Sequence, residues 1–212
     1  MEGRIRVDRT RARHIPPGQR LVRGWPISHY GPVPRYRPER WDFKVTGATA
    51  DGREARWSDP GLAGLPRDIA LADLHCASGP TSTGHEWYGV AGRALAEAVP
   101  PATEVRHVMA WGEYGFSANL RLEDLTAPDT MLATHHNGEV LTAEHGFPLR
   151  LVVPHLYGYK SVKWLRAIEY LTTGDRLGFW ESRGYHPIGE AWSGLRYAHE
   201  ETPAPRGDAT RA

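Results

Sequence analysis

Met131-Leu132-Ala133-Thr134-His135-His136-Asn137-Gly138-Glu139-Val140-Leu141 is the stretch that decides the fold class. Asn137-Gly138 sits between two strand-like runs, and both of these residues tolerate the positive φ that a two-residue hairpin turn demands, so an antiparallel hairpin is predicted. Downstream, Leu149 to Val153 reads as a short buried strand and Leu165 to Leu171 as another. Upstream, Val105 to Trp111 and Phe116 to Leu122 read as strands around Gly112 and Gly115. Trp41 to Thr46 alternates, with Trp41, Phe43 and Val45 inward, and closes at Gly47. Asp68 to Leu74 also alternates and is read as one strand ending at Cys76, followed by a loop over 77–86. Val90 to Val99 is alanine-rich with helical spacing and stops at Pro100-Pro101. Ser58-Asp59-Pro60 has the form of a helix start, and Gly61 and Gly64 would keep that helix short. Hairpins with few helices predict an α+β domain rather than a doubly wound sheet.

The chain has 212 residues, 40% of them apolar, with 8 Trp and 9 Tyr, which is enough for one sizeable core. Residues 1–23 lack apolar periodicity and are read as a basic, flexible arm, 24–200 as the domain, and 201–212 as a frayed, Pro- and charge-rich tail. Four prolines within 24–40 predict an extended segment lying over the domain surface. A net charge of +1 argues against a nucleic-acid or general polyanion binder, although the first 40 residues hold ten arginines against Glu2, Asp8 and Glu39. No window is long and apolar enough for a membrane span, and no secretion signal is visible. A cytoplasmic location is therefore expected, and a single cysteine is compatible with a reducing compartment.

That cysteine, Cys76 in Asp73-Leu74-His75-Cys76, has no partner for an intrachain disulfide. It is an inert core thiol or a reactive or metal-ligating thiolate. Soft sulfur suits zinc, copper(I), iron–sulfur or molybdenum, and the cysteine count excludes an iron–sulfur cluster. Zinc could draw on His75, His85, His135 or His136, but no H-E-x-x-H or C-x-x-C spacing supports it. Arg150 and Lys163 flank an apolar run among Gly, Pro and Tyr. Arginine grips a phosphate through two parallel hydrogen bonds and lysine supplies a point charge, with His145 as a further donor. The loop at 77–86 could offer backbone N–H groups to an anion, yet it has no nucleotide-binding G-x-x-x-x-G-K-[ST] pattern. No G-x-S-x-G elbow supports a serine hydrolase. Together these residues point to an anionic cofactor whose metal is held by Cys76.

The pieces also form a family pattern from about Arg20 to Tyr197. In order they are Gly24-Trp25-Pro26-Ile27-Ser28-His29-Tyr30-Gly31-Pro32-Val33-Pro34, Asp73-Leu74-His75-Cys76, Trp87-Tyr88-Gly89-Val90 and Asn137-Gly138-Glu139. Then come His145-Gly146-Phe147-Pro148-Leu149-Arg150-Leu151-Val152-Val153-Pro154, Tyr157-Gly158-Tyr159-Lys160-Ser161-Val162-Lys163-Trp164, and Phe179-Trp180-Glu181 through Gly184-Tyr185-His186. The chain resembles the molybdopterin-binding domain of the sulfite oxidase family, especially its compact bacterial members. The resemblance implies a single mixed α+β domain around one molybdopterin, the molybdenum cofactor. It implies Cys76 as the protein ligand of molybdenum, and His145, Arg150 and Lys163 as holders of the pterin phosphate and ring, with Ser161 in the same turn. Tyr30 matches a pterin-side contact and Tyr185 a tyrosine near the metal. The implied chemistry is oxygen-atom transfer to or from a small substrate, sulfite-like or sulfoxide-like, supported by the cofactor.

The chain departs from the family in places that bear on the substrate. Sulfite oxidases place an arginine for the anionic substrate where Ser28 stands here. Many bacterial relatives carry Arg-Trp where this chain has Gly79-Pro80, a change expected to open the cleft and remove charge. A larger or neutral substrate, or a protein that binds molybdopterin without turnover, is the expected consequence. The family's dimerisation domain and a haem domain are not seen in the sequence, which implies a separate electron-transfer partner and is compatible with a monomer.

Overall fold

The structure, a computed structural model, describes residues 15–200. Two five-stranded sheets carry the core. In the first, the strand order is Ala55–Trp57, Phe43–Gly47, Leu165–Leu171, His107–Gly112, Ser117–Arg121. Leu165–Leu171 runs parallel to Phe43–Gly47 and antiparallel to His107–Gly112. The second sheet runs Glu139–Val140, Met131–His136, Glu86–Ala91, Asp68–Leu71, with Arg150–Val152 also paired to Met131–His136. The Asn137-Gly138 hairpin forms as predicted, with φ of 51° and 81° at its two turn residues.

The main core lies between these sheets. Phe43, Val45, Val108, Ala110 and Ile168 from the first meet Val90, Leu132 and Leu151 from the second. The second sheet is also covered on its other face, where Trp87, Ala91, Met131, Ala133 and Val152 form a smaller cluster against Trp25 and Phe147. Trp25 belongs to the extended proline-rich segment, so that segment closes a core as well as crossing a surface. Each fully buried Val, Leu or Phe in these layers contributes about 1.5–3 kcal/mol.

Several local expectations are corrected. The run 68–74 is two strands: Asp68–Leu71 in the second sheet and Leu74–His75 in a small third sheet with Pro80–Ser82 and Arg20–Leu21. The chain changes sheets at Ala72-Asp73, a step that alternation cannot reveal. The expected loop 77–86 therefore contains a strand, Pro80–Ser82. Val90 and Ala91 finish the strand Glu86–Ala91, and the helix is shorter, Gly92–Ala98, because both faces of the strand are buried at its Val90-Ala91 end and leave no period-two signal there. Ser58-Asp59-Pro60 opens turns rather than a helix. Of the expected arm, residues 1–14 lie outside the described residues, while Arg20–Leu21 pairs in parallel with Pro80–Thr81. The expected tail at 201–212 also lies outside them. Among the described residues no helix is long and apolar enough to cross a membrane.

Candidate cofactor cleft

The loops joining the three sheets enclose a cleft of about 620 Å³. Tyr30, Cys76, His145, Arg150, Ser161, Lys163 and Tyr185 all line it. They come from the proline-rich segment, the turn after Leu74–His75, the two ends of the Arg150–Val152 region, the turn before Leu165–Leu171, and the segment after the 3-10 turn Glu181–Arg183.

One end is cationic. Arg150 opens its strand and is only 4% exposed. It donates to the carbonyls of His145 at 2.9 Å and Ser161 at 3.3 Å, and its guanidinium stands 5.1 Å from the ring centre of Trp25 and 5.5 Å from that of Trp87. No carboxylate pairs with it among the described residues, and burial pulls its pKa down to about 9. Lys163 donates to the carbonyls of Ser28 and Glu144, both at 2.7 Å. Burial, then the charge of Arg150, lowers its pKa to about 7, against the opposing pull of the Glu144 carboxylate. Gly146 lets these two side chains approach. A Cβ there would lie 3.1 Å from Arg150 Cβ and 3.2 Å from Lys163 Cβ, and its φ of +109° disfavours any other residue.

His145 stacks on Trp25 at 3.8 Å with 19° between the planes. Its Nε2 lies 3.3 Å from the Trp25 carbonyl and its Nδ1 3.0 Å from Thr142 Oγ1. A carbonyl only accepts, so Nε2 carries a proton. Burial holds its pKa below the ordinary histidine value. Ser161 Oγ accepts the Val153 N–H at 2.9 Å, which leaves the hydroxyl proton to donate elsewhere.

A relay that the sequence did not reveal stands behind this end. His85 Nε2 lies 2.8 Å from Ser82 Oγ, and His85 Nδ1 lies 2.7 Å from His136 Nε2. Ser82 Oγ donates to the Gly24 carbonyl, so it accepts from His85, and His85 in turn accepts from His136. Burial, before any neighbouring charge, lowers both pKa values to about 4. His135 turns the other way, onto Tyr88. The two histidines of the relay are 51 residues apart and share no motif, so only the sheet register brings them together.

The other end is mainly aromatic; His29, His75 and Glu113 also line the cleft, the Glu113 carboxylate being held by Arg166. Cys76 sits in a tight turn: its N–H donates to Pro80 O at 2.8 Å and its carbonyl accepts Gly79 N–H at 2.9 Å. Its Sγ lies 3.1 Å from Ser78 Oγ. Around it the cleft is lined by Phe116, Tyr159, Phe179, Trp180 and Tyr185, with Ser28 and Ser78 as small polar members. Burial, then Tyr197 and the neighbouring Cys76, raise the Tyr185 pKa. Tyr30 is 67% exposed and packs on Phe179 and Trp180. Pro80 lines the cleft and Gly79 does not, and a Cβ on Gly79 would lie 2.9 Å from Arg20 Nη1.

The two ends are clamped by Lys160, which sequence reading left without a role. Its side chain is fully buried and donates to Glu181 Oε1 at 2.6 Å, Asn119 O at 2.6 Å and Pro187 O at 2.5 Å. The turn bearing Ser161 and Lys163 is thereby tied to the segment bearing Trp180 and Tyr185. Tyr159 adds a hydrogen bond to His186 O at 2.7 Å.

Comparison with known proteins identifies the family. Residues 30–180 match the family model described as the oxidoreductase molybdopterin binding domain. The chain belongs to this family of molybdopterin-dependent oxidoreductases. Among its relatives is the "Uncharacterized oxidoreductase YuiH" of Bacillus subtilis (strain 168), 39% identical over 184 residues, covering 86% of this chain and 91% of the relative. The mitochondrial sulfite oxidase of Drosophila melanogaster is 27% identical over 186 residues, covering 75% of this chain and 32% of that protein. The fold matches the sulfane dehydrogenase SoxCD from Paracoccus pantotrophus with a TM-score of 0.61 at 24% identity, over 68% of this chain and 41% of that one. The α+β, sulfite oxidase-type fold is thus shown. This chain spans nearly all of the Bacillus relative but about a third of the fly enzyme.

The donor set fits the family's cofactor. A buried guanidinium without a carboxylate, beside a second cation, suits a phosphate. The soft sulfur of Cys76 suits molybdenum. The zinc alternative has no site, since no three His, Cys, Asp or Glu side chains cluster to hold a metal among the described residues.

Proposed function

We propose that this protein transfers an oxygen atom to or from a small, uncharged sulfoxide- or thioether-like substrate at a molybdenum ligated by Cys76. The observation that carries the reading is the division of one cleft into a cationic end, where the buried Arg150 has no carboxylate partner, and a mainly aromatic end around its only thiol, where the Glu113 carboxylate in the lining is held by Arg166. Arg150 and Lys163 bind the cofactor phosphate, His145 and Ser161 donate to it, and Tyr30 flanks the pterin. When bound, the cofactor supplies the two-electron change that accompanies oxygen-atom transfer. The protein's part is to hold the phosphate, exclude water with the aromatic walls, and present the Tyr185 hydroxyl as a hydrogen-bond donor at the metal side. A tyrosine hydroxyl is protonated at neutral pH, and burial shifts Tyr185 further in that direction. A separate electron-transfer partner completes the cycle.

The neutral substrate follows from Ser28 and from the aromatic lining. With Ser28 where an arginine would stand, an oxyanion entering this end would lose its water without gaining a guanidinium, and the Lys163 ammonium that reaches Ser28 already donates to two carbonyls. The test is dye-coupled turnover of dimethyl sulfoxide, methionine sulfoxide and sulfite by the molybdenum-loaded protein. Sulfoxide reduction that exceeds sulfite oxidation supports the reading, and the reverse order contradicts it. Full molybdenum with no turnover of any of them favours a second reading, a molybdopterin-binding protein that has lost its substrate side, which Ser28 and Pro80 in the cleft lining motivate.

A further inference from the structure

We propose that a second pocket beside the cleft is a binding site for an organic anion carrying a planar ring system. The pocket has a volume of about 400 Å³, within the range of small-molecule sites, roughly 300–1,000 Å³. Arg35, Arg37 and Arg40 line it, and none of them is paired with a carboxylate among the described residues. The carboxylate in the lining, Glu113, is already held by Arg166 at 2.5 Å, and Arg166 also pairs with Asp42 at 2.5 Å. The charge left to the pocket is therefore three guanidiniums, the side chain best shaped for a phosphate or carboxylate.

The rest of the lining is aromatic. Tyr36 packs edge-on against Phe147 at 4.9 Å and against Trp41 at 6.5 Å, so these rings form a fixed wall. Tyr114 and Trp164 line both this pocket and the cofactor cleft. Both have left-handed backbone, with φ of 58° and 53°, a conformation that costs bulky residues of order 1–3 kcal/mol and concentrates at functional sites. Cations around a concave aromatic wall select a small ring-bearing anion over the carboxylates of a protein surface, which a flat basic patch would serve. Such a ligand would share two walls with the cofactor cleft. This inference does not depend on the substrate assigned to the cleft.

The test is a fluorescence titration of the molybdenum-loaded protein with flavin mononucleotide as the phosphate-bearing probe. Riboflavin is the same ring without the phosphate, and inorganic phosphate is the anion without the ring. Saturable quenching by flavin mononucleotide is expected, with riboflavin weaker by about tenfold or more and phosphate displacing the probe only at much higher concentration. The combined variant Arg35→Ala, Arg37→Ala, Arg40→Ala should weaken the flavin mononucleotide by about tenfold or more, as should high salt in the wild type. Absence of saturable quenching overturns the proposal, as does equal binding of riboflavin. Phosphate binding as tightly as the probe overturns the ring requirement, and an unchanged arginine variant puts the ligand elsewhere.

Discussion

The two ends of the cofactor cleft are built on opposite principles. Around Arg150 the side chains are buried, cationic and fixed by carbonyls, stacked rings and a histidine relay. Around Cys76 they are mainly aromatic and more open, with Tyr30 and Ser28 exposed. An end that receives one unchanging group can be pre-organised, because every donor already has its direction. An end that admits and releases substrate has to stay accessible. On the proposed reading, the contrast separates the part of the site that holds the cofactor from the part that admits the substrate.

The largest effect is expected where the two ends are joined. Lys160→Met leaves the Glu181 carboxylate buried without its ammonium, and urea unfolding should show a loss of about 3–5 kcal/mol. The double variant Lys160→Met, Glu181→Leu removes both charges and should recover most of that loss. If the double variant is no better than the single one, the pair is not the clamp between the ends.

Next comes the cationic end itself. Arg150→Met should lower retained molybdenum and pterin by about tenfold to a hundredfold in affinity, the scale of one or two charge-assisted hydrogen bonds. Ser28→Arg, on the exposed side of the other end, should leave cofactor content unchanged and raise sulfite affinity several-fold. Equal cofactor loss in both variants would erase the distinction between the ends.

A pH effect of intermediate size follows from Lys163. It titrates near 7 in the folded chain against an ordinary value of 10.5, so between those values the unfolded chain holds the extra proton. Its contribution to stability is full above about 10.5 and is lost as pH falls through about 7. Phosphate affinity of the cofactor-free protein should run the other way, falling as pH rises through about 7, because the ammonium form binds the anion. Lys163→Met should flatten both profiles, and a profile that persists in the variant would assign the titration elsewhere. The smallest change is expected for Tyr185→Phe: unaltered molybdenum content and a turnover lower by a few-fold.

Much of the cationic end could be read in the sequence, because His145, Arg150, Ser161 and Lys163 fall in two short motifs on either side of one buried strand. The hairpin at Asn137-Gly138 and the strands that flank it were legible for the same reason: their signals are local. What escaped was non-local. The break at Ala72-Asp73 depends on a change of sheet, and the strand at Val90-Ala91 looked helical because both of its faces are buried. The His85–His136 pair exists only through strand register. Lys160 has no role in the sequence motifs, because its partner Glu181 lies 21 residues away and only the fold brings the two together.

The central claim is that one cleft holds a molybdenum cofactor through Cys76 at one end and Arg150 with Lys163 at the other. The most direct measurement is molybdenum by elemental analysis, with the fluorescence of the oxidised pterin, on wild type, Cys76→Ser and Arg150→Met from a host that makes the cofactor. The account predicts about one molybdenum and one pterin per chain in the wild type. It predicts metal loosened in Cys76→Ser while pterin stays, and both lost in Arg150→Met. A wild-type protein with neither metal nor pterin, or variants that retain both in full, would contradict it.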